Sequence, residues 1–329
     1  MRLVKPFVYV TRKVPEEIVT RLSASYEVET WCEEDKAVPR NILIEKASTA
    51  DALLTVISDG VDEELFSHAP QLKVVANMAV GFDNIDLEAA SRHGVAICNT
   101  PDVLTDTTAD LTFALLLATA RRMTEASEFV KEGRWTSWAP MMLVGTDVHH
   151  KKIGIVGMGK IGTAVAKRAA GFDMEILYHN RRRHEVAEEM LGAQYRSFDE
   201  LLEEADFVVC LAPLNEDTRG LFQREHFQKM KQDAMFINAS RGPIINEKAL
   251  IDALKAGDIA AAGLDVFDKE PISADHPFLS MKNVVALPHI GSASRETRIA
   301  MMMTCCDNIE AVFDERPPKT LVNKDVLQF

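Results

Sequence analysis

The feature that most constrains this chain is a glycine pattern set between two elements of opposite kind. Gly157-Met158-Gly159-Lys160-Ile161-Gly162 follows the apolar run Lys152-Ile153-Gly154-Ile155-Val156 and leads straight into a helical pattern over residues 163–169. Strand, G-x-G-x-x-G and helix in that order is the context in which the pattern has physical meaning. The first glycine permits the tight turn, the second lets backbone approach a pyrophosphate, and the third allows helix and strand to pack closely. Backbone N–H groups at the positive end of the helix would then hold the phosphates. A bare glycine turn with no ligand is the plainer alternative.

The same alternation runs through nearly the whole chain. Apolar runs at residues 7–10, 28–31, 52–57, 72–79 and 95–99 are separated by helical stretches that open after Pro15, after Pro39, at Asp62 and at Asp86. One long helical pattern covers 105–122, and 130–150 shows little periodicity. Further strands are expected at 152–156, 175–178, 207–212, 235–238, 261–266 and 284–287, with a last helix over 294–313. Strands alternating with helices predict parallel sheets covered on both faces. At 329 residues the chain exceeds what one hydrophobic core supports, so two α/β domains in tandem are expected.

Composition narrows the class. Fifty acidic against thirty-seven basic residues give a net charge of −13, which argues against nucleic-acid or anionic-membrane partners. The most apolar stretch, 111–120, is too short to span a bilayer, and Lys5-Pro6 interrupts the start before a signal sequence forms. Five scattered cysteines have neither disulfide-framework nor zinc spacing, so a cytoplasmic protein is expected. Metal catalysis is not expected either. His149 and His150 are adjacent and no third ligand stands at useful spacing, while Cys305-Cys306 sits in a Met-rich run that reads as core.

The strand after the glycine loop ends in His179-Asn180-Arg181-Arg182-Arg183. An NAD site normally carries an acid there to accept from the adenosine ribose hydroxyls. Asn180 stands in that place with guanidinium groups behind it, which favours NADP(H) and leaves NAD(H) usable. A solvated basic turn is the alternative. Ligands in doubly wound sheets bind beyond the carboxyl ends of strands, and three reactive residues sit at such ends: Arg241, Glu270 and His289. Singly, each reads as an ordinary surface or structural residue. Together they form a working set for reducing a 2-oxo acid. Arg241 would clamp the carboxylate and polarise the ketone, His289 would protonate the developing alkoxide, and Glu270 would stabilise the imidazolium and orient the ring.

These segments, with Ala239-Ser240-Arg241-Gly242, Lys269-Glu270-Pro271, Pro288-His289-Ile290-Gly291-Ser292-Ala293, Val80-Gly81-Phe82-Asp83-Asn84-Ile85-Asp86 and Thr100-Pro101-Asp102-Val103-Leu104-Thr105, resemble the D-isomer-specific 2-hydroxyacid dehydrogenases. Within that family the chain is most similar to the glyoxylate/hydroxypyruvate/2-ketogluconate reductases. The resemblance implies a Rossmann cofactor domain, 101–290, inserted into a flavodoxin-like substrate domain formed by 1–100 and 291–329. It implies Arg241, Glu270 and His289 as catalytic residues, with the backbone of Val80 and Gly81 joining Arg241 and His289 at the substrate. Thr108, Gly157, Met158, Gly159, Lys160, Ile161, Gly162, Asn180, Arg181, Arg182, Ala239, Ser240, Arg241, Asp265, His289, Ile290 and Gly291 would line the cofactor. A formate dehydrogenase would place glutamine where Glu270 stands. The alternative from another class is a dinucleotide-sensing interaction protein of corepressor type, which keeps similar residues. A homodimer is also expected, on the apolar 111–120 helix and the weakly periodic segment behind it. Trp138 is a candidate cap for the substrate pocket.

Overall fold

The computed structural model describes residues 5–326; positions 1–4 and 327–329 lie outside the described residues. The chain divides into two compact units, one made of Met1–Leu104 with Ser294–Phe329 and the other of Thr105–Ala293. The first unit runs β1 (Phe7–Val10), α1 (Glu16–Ser23), β2 (Glu27–Thr30), α2 (Arg40–Ala47), β3 (Ala52–Thr55), α3 (Glu63–His68), β4 (Val74–Asn77), α4 (Leu87–Arg92) and β5 (Ala96–Cys98). The second follows as α5 (Thr105–Ala120), α6 (Met123–Lys131), β6 (Lys152–Val156), α7 (Lys160–Ala170), β7 (Glu175–His179), α8 (Glu185–Leu191), β8 (Gln194–Tyr195), α9 (Phe198–Glu204), β9 (Phe207–Cys210), α10 (Arg224–Lys229), β10 (Met235–Asn238), α11 (Glu247–Ala256), β11 (Ala261–Leu264) and β12 (Val284–Ala286). The chain then returns to the first unit as α12 (Arg295–Phe313).

Both sheets are parallel throughout. The first has the order β2-β1-β3-β4-β5, and the second β12-β11-β10-β9-β6-β7-β8. The first is the flavodoxin-like order, and the second is the Rossmann order extended by one strand. Strands buried on both faces read as continuous apolar runs: β3, β4, β9, β10 and β11 are buried along their whole length. Several strands end earlier than their apolar runs suggest, β3, β4, β9 and β11 among them. β3 stops at Thr55 because the buried Asp59 carboxylate accepts from the Val56 amide at 2.9 Å and turns the chain. β4 stops at Asn77, where the Ala79 amide folds back onto the Asn77 carbonyl at 2.8 Å.

One expectation needs correcting. The apolarity of 111–120 does not by itself mark a docking surface, because Phe113, Leu115, Leu116 and Ala120 of α5 are buried in the core of the second unit. The helix is apolar on several sides because it fills an interior position, as an all-round apolar helix does. The next segment, by contrast, carries six exposed large apolar side chains: Met123, Val130, Trp135, Trp138, Met141 and Val144. Cys305 and Cys306 are fully buried on α12 among the apolar residues of the first unit, in packing positions. Among the described residues, no helix is long and apolar enough to cross a membrane.

Gly263 in β11 shows how tightly α5 seats. A Cβ there would stand 2.5 Å from Thr119 Oγ1 and 2.9 Å from Leu115 Cγ. Gly263→Ala is expected to destabilise the protein by about 1–3 kcal/mol through overpacking, lowering Tm by about 2–4 °C per kcal/mol. Gly60→Ala is the control, since nothing lies within 4 Å of its Cβ position. Thermal unfolding of the two variants checks this, and equal midpoints would contradict the packing.

Candidate active site

Three strands end level. In the ladder Asn238 of β10 pairs with Leu264 of β11, and Leu264 pairs with Ala286 of β12. The residues that follow each strand therefore emerge side by side: Arg241 after β10, Asp265 and Glu270 after β11, His289 after β12. Parallel pairing with no register offset is what gathers residues scattered over some fifty positions of sequence.

Each exit is shaped by a specific group. Asn238 is fully buried; its Oδ1 accepts from the Ser240 amide (3.1 Å) and hydroxyl (2.9 Å), and its Nδ2 donates to the Arg241 carbonyl (3.1 Å). This Asx-type arrangement fixes the turn that carries Arg241. Gly242 must be glycine, because a Cβ there would lie 1.8 Å from the carbonyl carbon of Phe267. That bare contact brings the backbone beside Arg241 against the loop that bears Glu270. Glu247 supports the same loop by accepting from the Asp268 amide at 2.8 Å.

His289 sits at φ +53°, in the left-handed region that costs a non-glycine residue of order 1–3 kcal/mol. Asp265 holds it there. Its carbonyl accepts from the His289 amide (2.9 Å), and its two carboxylate oxygens accept from the Ile290 and Gly291 amides (2.8 Å each). Burial pushes the Asp265 carboxyl up, and the two amides offset that only in part. The ring of His289 meets Glu270, Nδ1 to Oε2, at 2.7 Å, while Glu270 Oε1 accepts from the Phe267 amide at 2.9 Å. Burial pushes the Glu270 carboxyl up too. Here the hydrogen bond from His289, the Phe267 amide and the charge of Arg241 outweigh it and hold the group below the ordinary carboxylate range. An ionised carboxylate only accepts, so the proton of this contact belongs to Nδ1 and the other ring nitrogen is left for chemistry.

Across β9 on the same edge of the sheet, the glycine loop that follows β6 has the shape of a pyrophosphate cradle. Gly157 has φ +104°, and a Cβ on it would stand 2.5 Å from the Ala212 amide nitrogen. At Gly162 a Cβ would stand 2.3 Å from the Gly157 carbonyl oxygen, whereas the Cβ position of Gly159, the residue capping α7, faces open space. Two glycines are thus demanded by packing and one leaves room, which fits a dinucleotide. Lys160 and Ile161 form the first turn of α7, with the Met158 side chain buried beside them. Ala239 and Ser240 lie in the turn after β10, and Thr108 in the first half of α5 lies beside Gly291, whose Cβ position is 3.4 Å from Thr108 Cγ2.

Asn180 does more than stand where an acid would. Its Oδ1 accepts from the Met158 amide (2.7 Å) and its Nδ2 donates to the Met158 carbonyl (3.2 Å), so both ends of the amide bind the glycine loop. Arg181 and Arg182 are exposed, and Arg183 pairs with Glu188. In the first unit, Val80 and Gly81 follow β4, with their carbonyls taken by Asn99 Nδ2 (2.8 Å) and Asn77 Nδ2 (3.2 Å). Trp138 is exposed in the segment after α6. Asn238, Gly242 and Glu247 are supporting residues that sequence reading passed over. A polar Asn closing an apolar strand before Ser-Arg-Gly was the available signal.

A parallel doubly wound sheet with a glycine cradle, and a histidine–carboxylate pair beside an arginine at its strand ends, defines a dinucleotide-dependent oxidoreductase. Residues 113–291 match the family described as D-isomer specific 2-hydroxyacid dehydrogenase, NAD binding domain. The chain is 48% identical over 328 residues to a glyoxylate reductase of Pyrococcus furiosus, covering 98% of this chain and 97% of the relative. It is also 48% identical to a glyoxylate reductase of Thermococcus kodakarensis, with 98% of each covered. Among solved structures, the TT0316 protein from Thermus thermophilus superposes with a TM-score of 0.90 at 41% identity, over 96% of this chain and 99% of that one. An NADPH-dependent glyoxylate/hydroxypyruvate reductase from Sinorhizobium meliloti, in complex with NADP and malonate, gives 0.86 at 30% identity over 99% of each chain. The chain belongs to the D-isomer-specific 2-hydroxyacid dehydrogenases, NAD(P)-dependent enzymes.

The depressed Glu270 carboxyl has a consequence for stability. A carboxylate whose folded value lies below its unfolded one stabilises fully above the ordinary carboxylate range, and that contribution is lost as pH falls through the folded value. The Tm difference between the wild type and Glu270→Gln is therefore expected to shrink from about pH 5 to about pH 3. Thermal unfolding across that range checks it; a constant difference would mean the pair contributes no stability.

Proposed function

We propose that this enzyme is an NADPH-preferring reductase of small 2-oxo acids, of the size of glyoxylate, hydroxypyruvate or 2-ketogluconate, giving D-2-hydroxy acids. The observation that carries the reading is the His289–Glu270 hydrogen bond in the same row of strand ends as Arg241. Arg241 pairs with the substrate carboxylate and draws electron density from the adjoining ketone. The cradle at Gly157, Gly159 and Gly162 would hold the nicotinamide dinucleotide, which would supply the hydride that the carbonyl carbon takes up. The proton that completes the alcohol comes from His289 Nε2, and Glu270 steadies the ring through Nδ1 while the charge changes. Asp265 keeps the imidazole in place by holding the backbone of 289–291.

The NADPH preference rests on Asn180 in the place where an NAD enzyme keeps an acid, with Arg181 and Arg182 directly behind it. Each charge-assisted hydrogen bond to the 2′-phosphate contributes about 1.5–3 kcal/mol, and about 1.4 kcal/mol already gives tenfold. Solvent exposure pulls this toward the low end. The relatives' names, glyoxylate reductase and glyoxylate/hydroxypyruvate reductase, support the substrate class. A cytoplasmic location agrees with the reduced, scattered cysteines.

Steady-state oxidation of NADPH and NADH with a panel of 2-oxo acids tests the reading. The wild type is expected to favour NADPH by about tenfold in kcat/KM. His289→Asn is expected to lower kcat by about two or more orders of magnitude with little change in cofactor binding. Wild-type turnover in His289→Asn would remove it from the mechanism.

We also propose a homodimer, now on the exposed Trp135, Trp138, Met141 and Val144, large apolar side chains gathered in one short stretch of the chain. Light scattering at micromolar concentration is expected to give twice the 36.6 kDa chain mass. A monomer that persists on concentration would contradict it.

A further inference from the structure

The turn joining β7 to α8 is pinned at both ends. At its start, both ends of the Asn180 amide grip the Met158 backbone. At its close, the Tyr178 hydroxyl accepts from the His184 amide at 2.7 Å and donates to the Glu188 carboxylate. Glu188 also takes the Arg183 guanidinium, at 3.0 Å from Nε and 2.5 Å from Nη2. His184 Nδ1 accepts from the Ala187 amide at 3.1 Å and caps α8.

The tyrosine is a fixed post, fully buried in β7 with its ring edge-on to Tyr195. Arg183 and the Tyr178 hydroxyl hold the Glu188 carboxyl down at about 2, so it stays ionised wherever the enzyme is assayed. The basic run is therefore not three equivalent cations. Arg183 is engaged by Glu188, and Arg181 and Arg182 project from the short stretch between the two pins. Arg181 pairs at 3.9 Å with Asp217, and both side chains are largely exposed.

We propose that Glu188 is a positioning residue for cofactor selectivity: by holding Arg183 and the Tyr178 hydroxyl, it fixes the turn from which Arg181 and Arg182 address the adenosine 2′-phosphate. The inference rests on the reading of those two arginines given above. Its physical content is preorganisation. A turn held in one conformation spares the bound phosphate the cost of ordering the backbone that carries the two cationic side chains. NADH presents no phosphate to this turn, so its binding does not draw on the device.

The test is steady-state kinetics with both cofactors on the wild type, Glu188→Gln and Tyr178→Phe. In each variant the KM for NADPH is expected to rise about three- to tenfold. The kcat should stay within about twofold and the KM for NADH should not move. A wild type that uses NADH as well as NADPH overturns the reading of the arginines, and this inference with it. A wild type that prefers NADPH, with the preference intact in both variants, overturns this inference alone. KM values that rise together for both cofactors reduce Glu188 to a structural role. A fall in the NADPH KM of Glu188→Gln would show that the carboxylate withholds Arg183 from the phosphate, the opposite of what is proposed.

Discussion

The hydrogen bond from His289 Nδ1 to Glu270 is the contact on which the rest of the site depends, and His289 does not make it from an ordinary backbone. His289 reaches Glu270 from a left-handed conformation that costs energy by itself. Asp265 supplies the compensation, with three backbone amides converging on its carbonyl and carboxylate. A carboxylate this deeply buried is costly unless its lone pairs are used. Those amides satisfy it and, in doing so, set the angle at which the imidazole leaves the chain. Glu270 is fixed in turn by the Phe267 amide and by a loop that only glycine at 242 allows to come so near. Strain in one residue is thus held by satisfied polar groups in its neighbours.

The sheet makes this economical. β10, β11 and β12 are adjacent and in register, so three short exits bring an arginine, two carboxylates and a histidine together with no long loop to order. On the far side of β9 the same sheet presents the glycine cradle, at the point where the strand order reverses. Doubly wound sheets place their ligand there because strand carboxyl ends and helix amino ends both open on that edge.

Much of this is legible in the amino-acid sequence, for a physical reason. Buried parallel strands must be apolar runs, so their ends are marked, and reactive residues just past those ends stand out: Arg241, Glu270, His289. The glycine loop is marked by the strand before it and the helix after it. Register is not marked, and with it goes the knowledge that Asn238, Leu264 and Ala286 lie in one row. The work of Asp265 is hidden as well, because it depends on the positive φ of a residue twenty-four positions later. β8 is two residues long and carries no pattern to read. The apolar α5 misleads in the other direction, since apolarity alone does not separate a core helix from an interface helix. Only burial reveals that the exposed apolar stretch begins at Met123.

The central claim is that Glu270 commits the Nδ1 proton of His289 and leaves Nε2 to face the reacting oxygen. A long-range nitrogen–proton correlation spectrum of histidine-labelled protein at neutral pH reads this directly, with His289→Asn identifying the signal. The account predicts a protonated Nδ1 whose proton is shifted far downfield by the short bond to a carboxylate. An imidazole with its only proton on Nε2 and a bare Nδ1 would contradict it.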